Sequence, residues 1–243
     1  MANNILYSFK RYEKKYLLTP YSQIDLLRQL QPYIQEDAYE KYTICNIYYD
    51  TDDWHLIRES IEKPVYKEKL RVRSYGTPTE TDTVFIELKR KCNGTVYKRR
   101  ISTEEYIVEP FLYGLQEENR YGQIGQEILW FQVVHKTVPK VFIAYDRIAF
   151  TGREDANLRI TFDTNMRWRD TDLDLCMGDY GTPLLSTDQI LMEIKMPGSC
   201  PLWLSRMLSE AGIYPTSFSK YGKCYCDKIL KNETIKKEAF YCA

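Results

Sequence analysis

The feature that most constrains this chain is the alternation of charges along its predicted β-strands. Residues two apart in a strand share one face of a sheet. In the segment FIELKRK, Glu87, Lys89 and Lys91 therefore share one face, while Ile86 and Leu88 take the other. Seven predicted strands follow this rule, and their charged faces carry Arg11, Glu13 and Lys15; Lys69, Arg71 and Arg73; Glu87, Lys89 and Lys91; Lys98 and Arg100; Tyr145 and Arg147; Arg159 and Asp163; Glu193 and Lys195.

β-branched and aromatic runs predict eight strands, at residues 9–17, 42–49, 66–75, 83–91, 95–101, 140–150, 158–166 and 190–196. Helical spacing predicts five helices, at residues 22–34, 103–115 with Thr103 as N-cap, 123–135, 201–211 and 217–231. No repeat or long linker interrupts the 243 residues, so a single domain over residues 1–243 is expected. The predicted fold class is α+β, an antiparallel β-barrel flanked by amphipathic helices.

Two arrangements of this barrel remain open. The charges can lie outside around an apolar core, or they can line a polar lumen whose apolar outer faces are covered by the helices. The second arrangement crowds Lys and Arg side chains, which repel one another unless an anionic ligand runs between them. Carboxylates on the same face would then bind a divalent metal. The pattern therefore favours a tunnel for a polyanion and a metal.

Composition excludes several other classes of protein. The chain has 34 Lys and Arg and 34 Asp and Glu, so no general affinity for nucleic acid is expected. Residues 63–100 nevertheless hold eleven basic and four acidic residues, whereas residues 151–193 hold nine acids and four arginines. No long apolar segment or signal peptide is present, which predicts a cytoplasmic protein. Seven scattered cysteines and two histidines predict reduced thiols, no structural zinc and no histidine-based catalysis.

Several motifs together carry a family resemblance. They are RYEKKYLL, YYDT, KLRVRSYG, FIELKRK, VYKRR, VFIAYDRIAF, LRITFDTNM, ILMEIKMPG and SFSKYGKCY, which follow one another over almost the whole chain. In this order the chain resembles the VTC-type polyphosphate polymerase domain, a branch of the CYTH-like triphosphate tunnel metalloenzymes. The resemblance implies an antiparallel β-tunnel that binds triphosphate. It also implies Mn²⁺ or Mg²⁺ as cofactor, with ATP and polyphosphate or tripolyphosphate as substrates.

The resemblance and the charged faces together give the candidate site. The predicted catalytic residues are Arg71, Arg73, Arg147 and Lys220. The predicted substrate-binding residues are Lys15, Arg58, Lys89, Lys98, Tyr145, Arg159, Lys195 and Ser219. Glu193 is the predicted metal ligand, with Glu13, Glu87 and Asp163 as further candidates. These residues would transfer a phosphoryl group by charge neutralisation and positioning.

The first strand departs from the superfamily pattern. Hydrolases of this superfamily carry ExExK there, whereas this chain has Arg11 where one of the two acids would stand. This favours the polymerase branch, and the lack of an SPX-like region or membrane span predicts a free-standing, prokaryotic-type domain. Two alternatives stay open: a hydrolase of tripolyphosphate or nucleoside triphosphates, and a non-catalytic module that binds polyphosphate or nucleotide. A membrane protein that receives the product is compatible with the resemblance, and the sequence defines no oligomeric state.

Overall fold

The computed structural model describes residues 12–37, 41–93, 95–115 and 120–231. Within these residues the strands are β1 (Tyr12–Leu18), β2 (Ile34–Glu36), β3 (Tyr42–Asp50), β4 (Tyr66–Tyr75), β5 (Thr83–Cys92), β6 (Thr95–Glu104), β7 (Val138–Gly152), β8 (Arg159–Arg169), β9 (Thr182–Pro183) and β10 (Ile190–Met196). The α-helices are α1 (Pro20–Leu30), α2 (His55–Ile61), α3 (Val108–Leu112), α4 (Gly122–His135), α5 (Leu202–Glu210) and α6 (Lys220–Cys224). Short 3₁₀ turns span Glu105–Ile107 and Leu175–Met177, and a π-helical turn spans Tyr225–Ile229.

All eight predicted strands are present in the described residues, and β4 and β10 have the predicted bounds. Residues 9–11, with Arg11 of the first charged face, lie outside the described residues. The sequence did not predict the short strands β2 and β9 or the helix α2. At the start of helix α2, the Asp50 carboxylate accepts hydrogen bonds from the backbone N–H groups of Leu56 and Ile57, with N···O distances of 2.9 and 3.0 Å. That cap lies five residues before the helix, which is outside the usual N-cap pattern.

The prediction of Thr103 as a helix N-cap is wrong. Thr103 continues β6 opposite Val84, and its hydroxyl accepts a hydrogen bond from the Tyr121 hydroxyl at 2.6 Å. Pairing with β5 extends to Glu104, so the chain stays extended beyond the acidic residues that resembled a first helical turn. Helix α3 begins only at Val108, after a 3₁₀ turn.

Two other predicted helices have different bounds in the structure. The helix predicted at residues 22–34 ends at Leu30, because Ile34 begins β2 and joins the apolar core. The helix predicted at residues 217–231 begins at Lys220, with Ser219 as its N-cap, and changes to a π-helical turn at Tyr225.

The chain divides into two compact units, each assembled from three segments. The first unit comprises Met1–Tyr42, Tyr145–Asn165 and Leu185–Ser217. The second unit comprises Thr43–Ala144, Met166–Leu184 and Phe218–Ala243. The single domain expected over residues 1–243 stays a prediction.

The first unit builds an antiparallel sheet in the order β1-β10-β8-β7, with β2 added to β7. One face of this sheet is apolar and includes Tyr16, Phe162 and Ile194. It packs with Leu26 of α1 and Leu204 of α5 in one hydrophobic core. Helix α1 begins where Pro20 follows Thr19, whose side chain forms a capping box with Ser22. The charged residues of β1, β8 and β10 alternate with these apolar ones and lie on the opposite face.

The second unit builds an antiparallel sheet in the order β3-β4-β5-β6 and has its own core. Leu70 and Leu88 on the apolar face pack with Phe111 of α3 and with Ile128 and Phe131 of α4. Helices thus cover the apolar face in each unit, as the polar-lumen arrangement requires. The predicted α+β class, an antiparallel sheet with flanking helices, is confirmed. Among the described residues, none of the helices has both the length and the apolar character of a membrane span.

Candidate functional site

Seven residues of β4, β5 and β6 form what we call the basic face of the second unit. They are Lys69, Arg71, Arg73, Glu87, Lys89, Lys98 and Arg100. The antiparallel register places Lys89 directly opposite both Lys69 and Lys98, so three lysines form a row across three strands. Like charges directly opposite one another destabilise a sheet. The backbone therefore fixes an excess of positive charge on this face.

A second row of the basic face is organised by a single carboxylate. Glu87 is only 2% exposed and lies opposite Arg71 on one side and Arg100 on the other. Its Oε2 accepts a hydrogen bond from Arg71 Nε at 2.8 Å. Its Oε1 accepts from Lys98 Nζ at 2.7 Å and from Arg100 Nε at 2.6 Å. Three cations thus converge on one anion, which holds their side chains in place.

Neutral groups orient the remaining arginine of this face. Arg73 is buried and donates from Nε to Asn46 Oδ1 at 2.8 Å. The Asn46 side chain is itself fixed, because its Nδ2 donates to the backbone carbonyl of Ile143 at 2.9 Å. Arg71 also donates to the hydroxyl of Tyr48, whose ring stacks on Tyr221 with centroids 4.7 Å apart. The guanidinium groups are therefore preorganised by residues of the same unit.

The protonation equilibria reflect this crowding. Burial by itself would raise the pKa of Glu87, but Arg71, Arg73 and Lys98 together hold that pKa well below its usual range. Burial, reinforced by Arg100 and Arg71, lowers the pKa of Lys98 to about 8, although Glu87 opposes the shift. Glu87 is therefore fully ionised at neutral pH, while Lys98 changes charge close to it.

The opposite face of the same strands pairs its arginines differently. Arg90 and Arg99 alternate with the basic face, and both bind Glu127 of helix α4, at 3.0 and 3.1 Å. Arg90 also pairs with Glu68 at 2.6 Å. Neighbouring arginines such as Arg99 and Arg100 therefore have separate roles, since the helix supplies a carboxylate to one of them. Lys98 and Arg100 converge instead on Glu87 within the sheet.

The structure places the other predicted residues of the second unit at different distances from this cluster. Lys69 Nζ donates to Ser219 Oγ at 3.2 Å, and Ser219 caps α6, so this serine adjoins the basic face. Lys220 is buried at the first position of that helix. Arg58 lies on α2 rather than on a strand, is exposed, and pairs with Asp53. The contacts of Arg58 within the described residues do not bring it to Glu87.

Seven residues of the first unit form what we call the carboxylate face. They are Glu13, Lys15, Arg147, Thr161, Asp163, Glu193 and Lys195. Arg147 and Asp163 form a buried two-hydrogen-bond pair, at 2.6 Å from Nε and 2.8 Å from the terminal nitrogen. Although burial opposes its charge, Asp163 and Glu193 raise the pKa of Arg147 well above its usual value. Arg147 is therefore a fixed cation, and Asp163 orients it.

Glu193 lies at the centre of the carboxylate face. Its carboxylate is 3.6 Å from Lys15 Nζ, 3.7 Å from Arg147 and 3.9 Å from Lys195 Nζ. Glu13 approaches the same two lysines, at 3.4 and 3.9 Å. These ion-pair separations exceed those of direct hydrogen bonds, in contrast to the Arg147–Asp163 pair.

Two further predicted residues of the first unit differ in position. The Tyr145 ring is buried beside Arg147, whose guanidinium carbon lies 5.2 Å from the ring centroid. Arg159 is exposed at the start of β8 and pairs with Asp37 at 2.8 Å. Tyr145 therefore adjoins the carboxylate face, while the side chain of Arg159 turns to a loop acid.

Thr161 also lies on the carboxylate face and was not predicted as a site residue, although the alternation of β8 places it between Arg159 and Asp163. Its side chain is 1% exposed, and it lies directly opposite Glu193. Among the described residues, its hydroxyl oxygen has no hydrogen-bond partner. Arg100, Tyr48 and Asn46 were also missed as site residues, and for Arg100 the period-two pattern was a sufficient signal.

The donor chemistry of the carboxylate face fits a divalent metal. Glu193 and Glu13 offer carboxylate oxygens, which Mg²⁺ and Mn²⁺ prefer, and the Thr161 oxygen lies on the same face without a partner. Glu87 fits less well, because both of its oxygens accept hydrogen bonds from cations.

The ligand atoms of Glu105, Asp174 and Cys176 also lie within 4.8 Å of one another in the second unit. Burial and the two acids raise the pKa of Cys176 to about 12, so that thiol stays protonated.

Comparison with known proteins identifies the family of this chain. The VTC domain family matches residues 10–227. The chain is 24% identical over 221 residues to vacuolar transporter chaperone complex subunit 4 of Schizosaccharomyces pombe, covering 72% of this chain. It spans only 30% of the length of that relative.

Two solved structures align with this chain. A Bacillus halodurans protein assigned provisionally as an adenylate cyclase aligns with a TM-score of 0.53 and 13% identity over 86% of this chain and 95% of its own. A Vibrio parahaemolyticus protein with the same provisional assignment has a TM-score of 0.49 and 9% identity, covering 90% of this chain and 100% of its own. The first of these likenesses supports the fold and no more.

Proposed function

The chain belongs to the VTC domain family, and from that membership we propose that it is a phosphotransferase that forms inorganic polyphosphate from the terminal phosphate of ATP. Mn²⁺ or Mg²⁺ is the proposed cofactor. The growing polyphosphate chain is the proposed acceptor. The cytoplasmic location and a membrane-protein partner stay predictions.

The row of Lys69, Lys89 and Lys98 is the observation that carries this proposal. Lys98 pairs with Glu87, but three lysines fixed opposite one another by strand register still give this row an excess of positive charge, which a ligand that carries many negative charges would neutralise. Polyphosphate carries a negative charge on each of its repeating units, and its oxygens accept hydrogen bonds from Lys and Arg. The spacing of positive charges along the sheet therefore suits a repeated anion better than a single carboxylate.

The adjoining row of the basic face supplies directional hydrogen bonds. Arg71, Arg73 and Arg100 are held in place by Glu87 and Asn46, so little freedom is lost when they bind nonbridging phosphate oxygens. Phosphoryl transfer depends on positioning and on electrostatic stabilisation of the transferred group. We propose that these arginines and Lys98 position the transferred phosphoryl group and stabilise its charge.

The carboxylate face supplies the proposed metal ligands. Glu193, with Glu13, would bind the divalent cation, and that cation when bound would supply charge neutralisation to phosphate oxygens. Asp163 has a different task, because both of its oxygens accept hydrogen bonds from Arg147. It keeps Arg147 charged and fixed in orientation. Lys15 and Lys195 lie within 3.9 Å of both glutamates and balance part of their charge.

The test is to incubate the protein with ATP, Mn²⁺ and a short polyphosphate primer, and to resolve the products on a gel with and without an exopolyphosphatase. We expect a ladder that the exopolyphosphatase removes. Arg100→Ala is expected to lower the rate by on the order of a hundredfold. Arg99→Ala is the matched control, because it removes the neighbouring arginine from the helix-covered face and is expected to leave the rate within twofold.

Each other outcome contradicts the proposal in its own way. Phosphate release without a ladder would establish a hydrolase. Ligand-dependent thermal stabilisation by tripolyphosphate without any product would establish a binding module. Equal losses in Arg99→Ala and Arg100→Ala would contradict the assignment of the basic face.

A further inference from the structure

The hydroxyl group of Thr161 is buried, and no hydrogen bond among the described residues explains why a polar group is present there. Thr161 lies in the middle of the first unit's sheet, and its side chain is almost completely buried. Its hydroxyl oxygen has no hydrogen-bond partner within the described part of the chain. A buried hydroxyl without a partner destabilises a fold, because it loses its hydrogen bonds to water. Valine has the same branched shape and favours strands equally well, without that cost.

The neighbours of Thr161 point to a ligand rather than to packing. Ile160 and Phe162 on either side of it enter the apolar core, so Thr161 itself lies on the carboxylate face. Glu193 is directly opposite it on β10, and Lys15 is directly opposite Glu193 on β1. Asp163 follows two residues later on the same face. The partnerless oxygen is therefore the cross-strand neighbour of the central carboxylate of that face.

We infer that the Thr161 hydroxyl oxygen is a neutral ligand of the divalent cation that Glu193 binds. This inference rests on the proposed function, since it assigns a further residue to the same metal site. A hard cation accepts hydroxyl oxygens beside carboxylates. The hydroxyl adds no negative charge, so it adds a ligand without increasing repulsion between the carboxylates. Thr161 would obtain from the metal the partner that the protein does not give it.

Two substitutions separate the hydroxyl from the shape of the side chain. Thr161→Val keeps the branched shape and removes the oxygen, whereas Thr161→Ser keeps the oxygen and removes the methyl group. The measurement is the dissociation constant of Mn²⁺, by electron paramagnetic resonance, for the whole chain alone and with tripolyphosphate. We expect Thr161→Val to weaken Mn²⁺ binding by on the order of tenfold and Thr161→Ser to stay within threefold of the wild type.

Thermal unfolding in EDTA excludes a merely structural role. Because Thr161→Val removes a buried hydroxyl without a partner, it should be at least as stable as the wild type without metal. A large loss of stability in EDTA would instead show that the hydroxyl serves the fold, and would overturn the inference.

Glu193→Gln distinguishes failure of this inference from failure of the proposed function. If Glu193→Gln abolishes Mn²⁺ binding while Thr161→Val binds Mn²⁺ like the wild type, the metal site stands and the role of Thr161 is refuted. If the wild type binds no Mn²⁺ either alone or with tripolyphosphate, the metal site and the role of Thr161 are both refuted.

Discussion

The two units present charged sheet faces that share a geometry and differ in how charges are paired. On the carboxylate face, Glu13 lies opposite Lys195, and Lys15 lies opposite Glu193. On the basic face, lysine lies opposite lysine along a row of three. The first face therefore balances much of its charge internally, whereas the second keeps an excess of positive charge.

We infer from these pairs that the direct cross-strand neighbour, more than the number of charges, determines which ligand a polar face suits. On the carboxylate face, each glutamate has a lysine as its direct neighbour, and its oxygens are of the type that a divalent metal prefers. Like neighbours keep a surface positive, even with Glu87 among them, and favour a long anion. The predictions below test whether the two faces really divide the work in this way.

The largest effect is expected from removing two arginines of the basic face. Arg71→Ala combined with Arg73→Ala should weaken tripolyphosphate binding in EDTA by on the order of a thousandfold, because each charge-assisted contact is strong. Titration calorimetry measures this constant. Arg90→Ala combined with Arg99→Ala removes two arginines from the helix-covered face, and should change the constant less than twofold. A comparable loss in both pairs would erase the distinction between the two sides of the sheet.

The second prediction concerns the carboxylate face. Glu193→Gln should lower turnover with Mn²⁺ by on the order of a hundredfold, because the central metal ligand is lost. Its tripolyphosphate binding in EDTA should stay within threefold of the wild type. Steady-state kinetics measures the turnover, and titration calorimetry measures tripolyphosphate binding in EDTA. If tripolyphosphate binding in EDTA fell as far as turnover, this would show that Glu193 supports the anion site and does not act as a metal ligand.

The third prediction concerns the carboxylate that anchors the basic face. Because the pKa of Glu87 is well below its usual value in the folded protein, its stabilisation is present at neutral pH. It is lost as the pH falls from about 4.3, the ordinary value for glutamate, through the folded-state pKa. Glu87→Gln should lower the free energy of unfolding by about 1–3 kcal/mol at pH 7, since three partly exposed cations lose their shared hydrogen-bond acceptor.

Urea titrations of the wild type and Glu87→Gln at pH 7 and pH 3 measure this contribution. The difference between the two proteins should shrink at pH 3. Tripolyphosphate at pH 7 should restore part of the lost stability, because it replaces the missing anion. A difference that is unchanged by both pH and tripolyphosphate would show that Glu87 acts by packing alone.

The smallest effect is expected from the titration of Lys98. Its pKa of about 8, lowered by burial and by the charges of Arg100 and Arg71, means that it loses its charge between pH 7 and pH 9 beside Glu87. A bound anion favours the protonated form, so tripolyphosphate affinity should fall several-fold over that range. Lys98→Arg keeps its charge throughout, and it is the matched control for the titration of the ligand itself. Identical pH profiles for the two proteins would contradict this assignment.

Much of the fold was predictable, because it follows from local alternation. Period-two patterns identify eight strands and assign Arg71, Glu87 and Glu193 to charged faces without any knowledge of their partners. The patterns failed where the signal was short or distant. β9 has only two residues. The cap of α2 comes from Asp50, which precedes that helix by five residues.

The types of residue at the site were predictable from the sequence. Which of these residues contact one another was less predictable. Register decides which residues become neighbours, and it depends on long-range strand pairing that one sequence does not specify. Glu87 was predicted as a candidate metal ligand because it is a carboxylate on a charged face. The sequence does not reveal that three cations bind it in the folded protein. Thr161 was overlooked because a hydroxyl without a partner is a property of the folded environment. Arg58 was assigned to the phosphate site by resemblance, whereas its contact in the structure is Asp53.

The most direct test of this division of work is a crystal structure of the protein with tripolyphosphate and Mn²⁺. We expect phosphate oxygens within hydrogen-bond distance of Arg71, Arg73 and Arg100, and Mn²⁺ coordinated by Glu193. Tripolyphosphate bound to Arg90 and Arg99 on the helix-covered side, or Mn²⁺ bound by Glu87, would contradict it.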